Sequence, residues 1–358
     1  MSTIQRGAVE NLDEYQPMEE INRVILIGNG FDISHGLKTK YEHFMHFLLS
    51  DLISEARKVS PQNYSDQLLI DRLVLTEKNS KFRLNKGSVR DLFGQFQNKE
   101  IFTEFRPTQF IQALRADLSK NNWADFEVVY YRHLCDLLDL GGAESLMLQF
   151  NKSVEEVRKR LTEYFEKKVV NRITDELVID EYNDIFHHDE REIAETFVVN
   201  FNYTSTFKLL YDPYESFEVV NIHGQCGDGN NVFLGYGDRE DDNFDRLLDL
   251  NNPDIVKNLK SLHYKRSPES QEDEIDQFLD DVAFEVDVIG HSCGQSDRDV
   301  LRKVFDHQNC QAINIYHFND FERIHLELER LLRDDPVRDR KIKRFDPKKQ
   351  CPQFKKGS

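Results

Sequence analysis

Apolar positions along the 358-residue chain follow two different rules. The first is a short run, Arg23-Val-Ile-Leu-Ile-Gly28, which is β-branched, unbroken by polar residues and stopped by glycine. Continuous runs of this kind predict strands buried on both faces, as in parallel sheets. Similar runs return together much later, at 196–201, 217–222, 232–235, 284–289 and 312–318.

The second rule is helical spacing. Tyr41, Phe44, Met45, Leu48 and Leu49 fall on one helical face, and comparable periodicity runs through 51–59, 110–120, 123–140 and 153–178. These segments predict an inserted helical block over about 50–195. Gly141-Gly142 interrupts it, and 79–99, rich in Asn, Ser, Gly and Lys, reads as a loop. Helices expected at 204–211, 297–306 and 320–333 alternate with the later strands. The expected fold is therefore α/β, a doubly wound and mostly parallel sheet whose first strand is split from the rest by the helical block. The acidic stretch 238–245 reads as a loop and 267–281 as a solvated helix. A polar extension, 1–22, precedes the domain at 23–333, and 334–358 reads as a basic, flexible tail.

Composition narrows the function. Hydrophobic residues make up 39% and charged residues 31% of the chain, enough for a sizeable core under a charged surface. A formal charge of −18 repels a phosphate backbone, which leaves nucleic acid only the tail, where over 338–356 nine Lys/Arg stand against Asp339 and Asp346. No run reaches the roughly 20 apolar residues of a membrane span, and no signal-peptide core is present, so a cytoplasmic protein is expected. Five scattered cysteines, none spaced C-x-x-C, indicate reduced thiols rather than a zinc ribbon, and no metal is expected.

Candidate chemistry gathers at strand ends. Gly28-Asn-Gly-Phe-Asp-Ile-Ser-His-Gly36 follows the first strand and leads into a helix, a place where glycines let backbone amides approach an anion. It is equally readable as a tight turn, with Asp32 as a helix cap. The dehydrogenase fingerprint, with its third glycine and its acid ending a second strand, is not matched. Asn202, after the 196–201 strand, presents an amide for a ribose hydroxyl or a water, or caps the next helix. His223, before Gly224 at the end of 217–222, is a candidate general base at neutral pH, although a lone strand-end histidine is commonly structural. Gly290-His-Ser-Cys-Gly-Gln-Ser-Asp297 is a fourth strand-end turn, with amides and hydroxyls for the same sheet edge.

These segments, together with Asn122-Trp-Ala-Asp-Phe-Glu127, resemble the bacteriophage abortive-infection AbiH family over about residues 23–333. More faintly, the chain resembles sirtuins and the sirtuin-like NAD-cleaving enzymes of bacterial defence. That resemblance implies a nucleotide pocket for NAD, with Asn202 and His223 as catalytic residues. Gly28, Asn29, Gly30, Asp32, His35, Gly36, Gly224, Gly290, Ser292 and Asp297 would form the binding positions. Zinc-binding cysteine pairs are missing, which removes peptide deacylation. Trp123 and Glu127 carry family resemblance too, against a plain reading as core residue and salt-bridge partner.

The leading expectation is an infection-triggered, zinc-independent hydrolase of the N-glycosidic bond of NAD or a related nucleotide. In it Asn202 orients ribose or water and His223 accepts the proton. A phage-derived trigger and a homo-oligomer are the partners it allows. The alternatives are a nucleotide sensor without turnover, which an acid at Asp32 favours, and a nucleic-acid-processing effector using the tail and the acid pairs near 240–242 and 280–281.

Overall fold

The computed structural model describes residues 21–59, 64–76, 82–117, 123–141, 144–187, 193–227, 232–263 and 271–355. Seven strands occur among them: β1 (Ile21–Ile27), β2 (Ile70–Leu75), β3 (Phe102–Pro107), β4 (Ile193–Asn200), β5 (Glu218–Asn221), β6 (Phe284–Ile289) and β7 (Cys310–Tyr316). Five form one sheet in the order β5-β4-β1-β6-β7, with every neighbouring pair parallel.

The unbroken apolar character of β1 follows from its position at the centre of this sheet, where both faces are covered. Val24 and Leu26 face the helices Gln271–Asp281, Arg298–Phe305 and Phe321–Leu331, packing with Phe278, Leu301 and Leu328. Ile25 and Ile27 face the other way, onto Tyr182, Phe186, Phe207 and Tyr211. Alternation along a strand thus divides one hydrophobic run between two cores.

The chain moves from β1 through β4 to β5, then returns to the opposite side of β1 for β6 and β7. Strand order therefore reverses at β1/β6, the place where open α/β sheets form a crevice beyond the strand carboxyl ends. That edge carries the loops after β1, β4, β5 and β6.

The segment between β1 and β4 is mainly helical: Tyr41–Val59, Val89–Gln95, Gln109–Asp117, Trp123–Asp139 and Glu144–Lys168. Its core joins Phe44, Leu48, Phe126, Leu161 and Phe165 to Val232, Leu234 and Leu259 from beyond β5. Several expectations fail here. The block contains an antiparallel pair, β2 with β3, whose strands flank the segment read as a loop. That segment holds the helix Val89–Gln95, opened by a capping box between Ser88 and Asp91. Residues 232–235 are not a strand of the sheet either. Val232 and Leu234 instead insert into the helical core, so their apolar character comes from helix packing. The helix expected at 153–178 is Glu144–Lys168, followed by two short 3-10 turns.

The basic segment read as a flexible tail runs along the β7 edge. Ile342 bridges Ile313 and Gln350 bridges His317, both in parallel sense. Lys341 is buried, donating to the Phe305 carbonyl at 3.0 Å and pairing with Asp335 at 2.8 Å. Covering an edge strand removes its unpaired backbone groups from solvent, and the apolar Ile342 and Cys351 hold the cover in place. Residues 1–20, most of the expected N-terminal extension, lie outside the described residues. Among the described residues no helix is long and apolar enough to cross a membrane.

Candidate functional site

The two strand-end glycine turns meet at the reversal point. Gly28 donates to the Ile289 carbonyl at 3.0 Å and Gly30 to the Gly290 carbonyl at 2.8 Å. A Cβ on Gly30 would lie 2.7 Å from the Gly290 oxygen, and one on Gly290, whose φ is +64°, would lie 2.4 Å from the Phe31 nitrogen. These glycines are thus required by the contact between two loops. The amides of Gly28, Gly30 and Phe31 all go to carbonyls of the protein, so they do not form the anion cradle expected of the motif.

Beside this contact lies a cavity of about 360 Å³. Of the predicted residues, Asn29, Gly30, Asp32, Asn202, His223, Gly290, Ser292 and Asp297 line it. Gly28, His35, Gly36 and Gly224 do not. Gly28 packs beneath the loop, Gly36 ends the short helix with a φ of +76°, and Gly224 turns the chain after β5 with a φ of +72°. His35 belongs to the sheet's other core, where it stacks on Tyr182 and donates from Nδ1 to the Phe31 carbonyl. The Tyr211 hydroxyl lies 2.6 Å from its Nε2. Burial pushes the His35 imidazole down to about 4, against the smaller opposing pull of the Phe31 carbonyl.

Five buried side chains form a charge network at the cavity wall. Lys260 Nζ lies 2.9 Å from Glu127 Oε2 and 2.6 Å from Asp297 Oδ1, and His223 Nε2 lies 2.9 Å from that same Asp297 oxygen. His291 Nε2 approaches Asp297 Oδ2 at 3.6 Å. His223 Nδ1 is 3.1 Å from the Phe201 carbonyl, so both ring nitrogens face oxygen acceptors. Burial by itself would raise the Asp297 carboxyl, but Lys260 and then His223 outweigh it and hold it well below the usual carboxylate range. Burial dominates at Glu127, which is raised despite Lys260. Lys260 is raised because its two carboxylates outweigh its own burial.

Asp32 has the opposite environment. It is buried, and both its oxygens accept from the Thr204 hydroxyl, at 2.9 and 2.8 Å. Burial pushes its carboxyl up to about 6, against the lowering effect of Thr206 and Thr204. Asn202 donates through Nδ2 to the Gly28 carbonyl at 3.0 Å, tying the end of β4 to the glycine turn. Phe165, Phe201, Tyr203 and Phe318 supply apolar wall, while Lys40 and Arg323 bring positive charge to the lining.

Sequence reading missed Lys260. No motif marks it; the extended 235–237 segment holds it, with Lys260 N donating to the Tyr236 carbonyl at 2.8 Å. Glu127 had been weighed as a salt-bridge partner, and it is one, to Lys260. Trp123 has no described side chain. Among the described residues no group of three or more His, Cys, Asp or Glu side chains could hold a metal ion. All five cysteines are buried and free.

The fold and site define an α/β protein with a five-stranded parallel sheet and a polar, charge-paired cavity at the carboxyl ends of its strands. The family model "Bacteriophage abortive infection AbiH" matches residues 24–319, a span that takes in most of β1 and the whole of the other four strands of the sheet, and the chain belongs to that family. No curated protein matches the chain in sequence.

Proposed function

We propose that this AbiH protein acts in abortive infection by cleaving the N-glycosidic bond of NAD or a related nucleotide in the 360 Å³ cavity. The observation that carries this reading is a pair of carboxyl groups, Asp32 and Asp297, that line one cavity with pKa values pushed apart. Such pairs divide the labour of glycoside hydrolysis: one carboxylate stays ionised beside the oxocarbenium-like centre while the other handles a proton.

Asp297, held ionised by Lys260 and His223, stabilises positive charge developing at the ribose C1′. Water adds to C1′ as the C1′–N bond breaks, and the base leaves with the bonding electron pair. The water proton passes to Asp32, whose value near 6 suits a general base at neutral pH. His223 acts through Asp297, because its two ring nitrogens are occupied by the Asp297 carboxylate and the Phe201 carbonyl. Asn202 and Ser292 orient the ribose, Phe318 offers a face for a base, and Lys40 and Arg323 meet the phosphates. The parallel sheet, its order reversal at β1 and the placement of the cavity beside the strand-end glycines are in keeping with the sirtuin-like reading.

The test is release of free nicotinamide from NAD by the purified chain, alone and with extract of phage-infected cells. Wild type is expected to release it, with Asp297→Asn and Asp32→Asn each slowed by roughly 10²-fold or more. The rate of the wild type should rise as pH increases through about 6, following Asp32. Binding of NAD without release under either condition would replace this reading by that of a sensor.

A further inference from the structure

A second cavity, of about 990 Å³, opens on the helical side of the glycine motif. Its wall holds four exposed cations, Lys38, Lys86, Lys168 and Arg172, with Glu42 as the single carboxylate. None of the four is paired with a carboxylate among the described residues. On a chain of net charge −18, such a cluster is a local reversal of sign confined to one concave site.

The rest of the lining is not generic surface. Phe47 and Tyr164 stand in ring contact at 5.2 Å and form an aromatic part of the wall. The Tyr164 hydroxyl donates to the Lys38 carbonyl at 2.6 Å, which fixes the turn that carries Lys38. His43 also lines the cavity, and its Nδ1 is buried without a hydrogen-bond partner. His46, by contrast, is already anchored to the Leu84 carbonyl through Nε2. A buried polar atom with no partner at the wall of a basic cavity is a position for a ligand group.

We infer that this cavity is a second binding site, for a nucleoside polyphosphate, with the four cations on the phosphates and the aromatic wall beside the base. Its volume is that of a small-molecule pocket. The overall negative field works against a long polyanion, which favours a small ligand over nucleic acid. One segment joins the two sites: Asn29, Gly30, Asp32, Ile33 and Lys40 line the first cavity, and His35–Lys38 and Glu42 line the second. A ligand in the second site therefore bears directly on the chain that forms the first. This inference does not rest on cleavage of NAD.

Calorimetric titration of the full chain tests it, with ATP, adenosine and a single-stranded DNA oligonucleotide as probes. ATP should bind, adenosine should bind at least tenfold more weakly, and the affinity for ATP should fall as salt is raised. Lys168→Ala/Arg172→Ala should weaken ATP by about tenfold or more, and Lys86→Ala by a smaller factor, with circular dichroism unchanged. Asp297→Asn should leave ATP binding within about twofold, whatever it does to nicotinamide release. Absence of ATP binding, ATP binding indifferent to the charge variants, or tighter binding of the oligonucleotide than of ATP overturns the inference.

Discussion

Lys260 and Asp297 meet at 2.6 Å with the lysine side chain entirely out of solvent, and the same lysine holds Glu127 at 2.9 Å. A buried cation between two carboxylates keeps them in place only while all three are present. Removing one partner leaves charge without compensation in a medium that solvates it poorly.

Lys260→Met is therefore expected to destabilise the protein by about 3–5 kcal/mol, measured by chemical denaturation. Lys260→Met/Glu127→Gln should recover part of that loss, because one of the two orphaned carboxylates is gone. A double variant no more stable than the single would show that the three groups do not act as a unit.

The glycines of the two strand-end turns differ in what they require. Gly290→Ala must accept both a left-handed backbone and a Cβ 2.4 Å from the Phe31 nitrogen, whereas Gly36→Ala, at φ +76°, meets open space. The left-handed conformation alone costs about 1–2 kcal/mol for alanine. Gly36→Ala should lower stability by about that amount, and Gly290→Ala by distinctly more, with the cavity also disturbed. Equal melting temperatures for the two variants would contradict the loop-packing account.

Asp32 and His35 pull the pH dependence of stability in opposite directions. His35 is lowered to about 4 from 6.5, so the unfolded chain binds more protons between those values. Its contribution to stability is present above 6.5 and is lost as pH falls towards 4. Asp32 is raised from 3.8 to about 6, so its contribution is present below 3.8 and is lost as pH rises through about 6. The two slopes offset each other between about pH 4 and 6. In Asp32→Asn the His35 slope remains, so stability relative to wild type should rise by about 2 kcal/mol from pH 4 to pH 7. Denaturation midpoints at both pH values check it; a constant difference would remove Asp32 as the titrating group.

The cover over β7 is a structural element by this account. Ile342→Ala should cost about 2–4 kcal/mol, as for other buried isoleucines. Lys348→Ala, on an exposed part of the same segment, should stay within about 0.5 kcal/mol. Thermal melts of the two variants separate a packed segment from a mobile one.

Several features of this protein were legible from residue order. Runs such as Val24–Ile27 and Phe197–Val199 identify parallel strands because a strand covered on both faces admits few polar residues. Asn202, His223 and Asp297 each follow a strand end, and parallel strands bring such ends to one edge. The 232–235 run misled for a related reason: an extended segment inserted in a helical core has the same apolar pattern as a strand. The antiparallel pair β2/β3 was hidden because its exposed positions carry Asp71, Arg72, Thr103 and Arg106, which break the strand signal.

Residue order by itself determined the sheet, its strand ends and the class of the family, since these follow from local periodicity and short motifs. Only the tertiary structure decided which groups are paired. Lys260 reaches Asp297 and Glu127 across 37 and 133 positions, and both nitrogens of His223 find acceptors. Charge state, proton affinity and amide availability depend on burial and on neighbours distant in the chain. Those are properties of the packed interior, where desolvation makes each missing or present partner decisive.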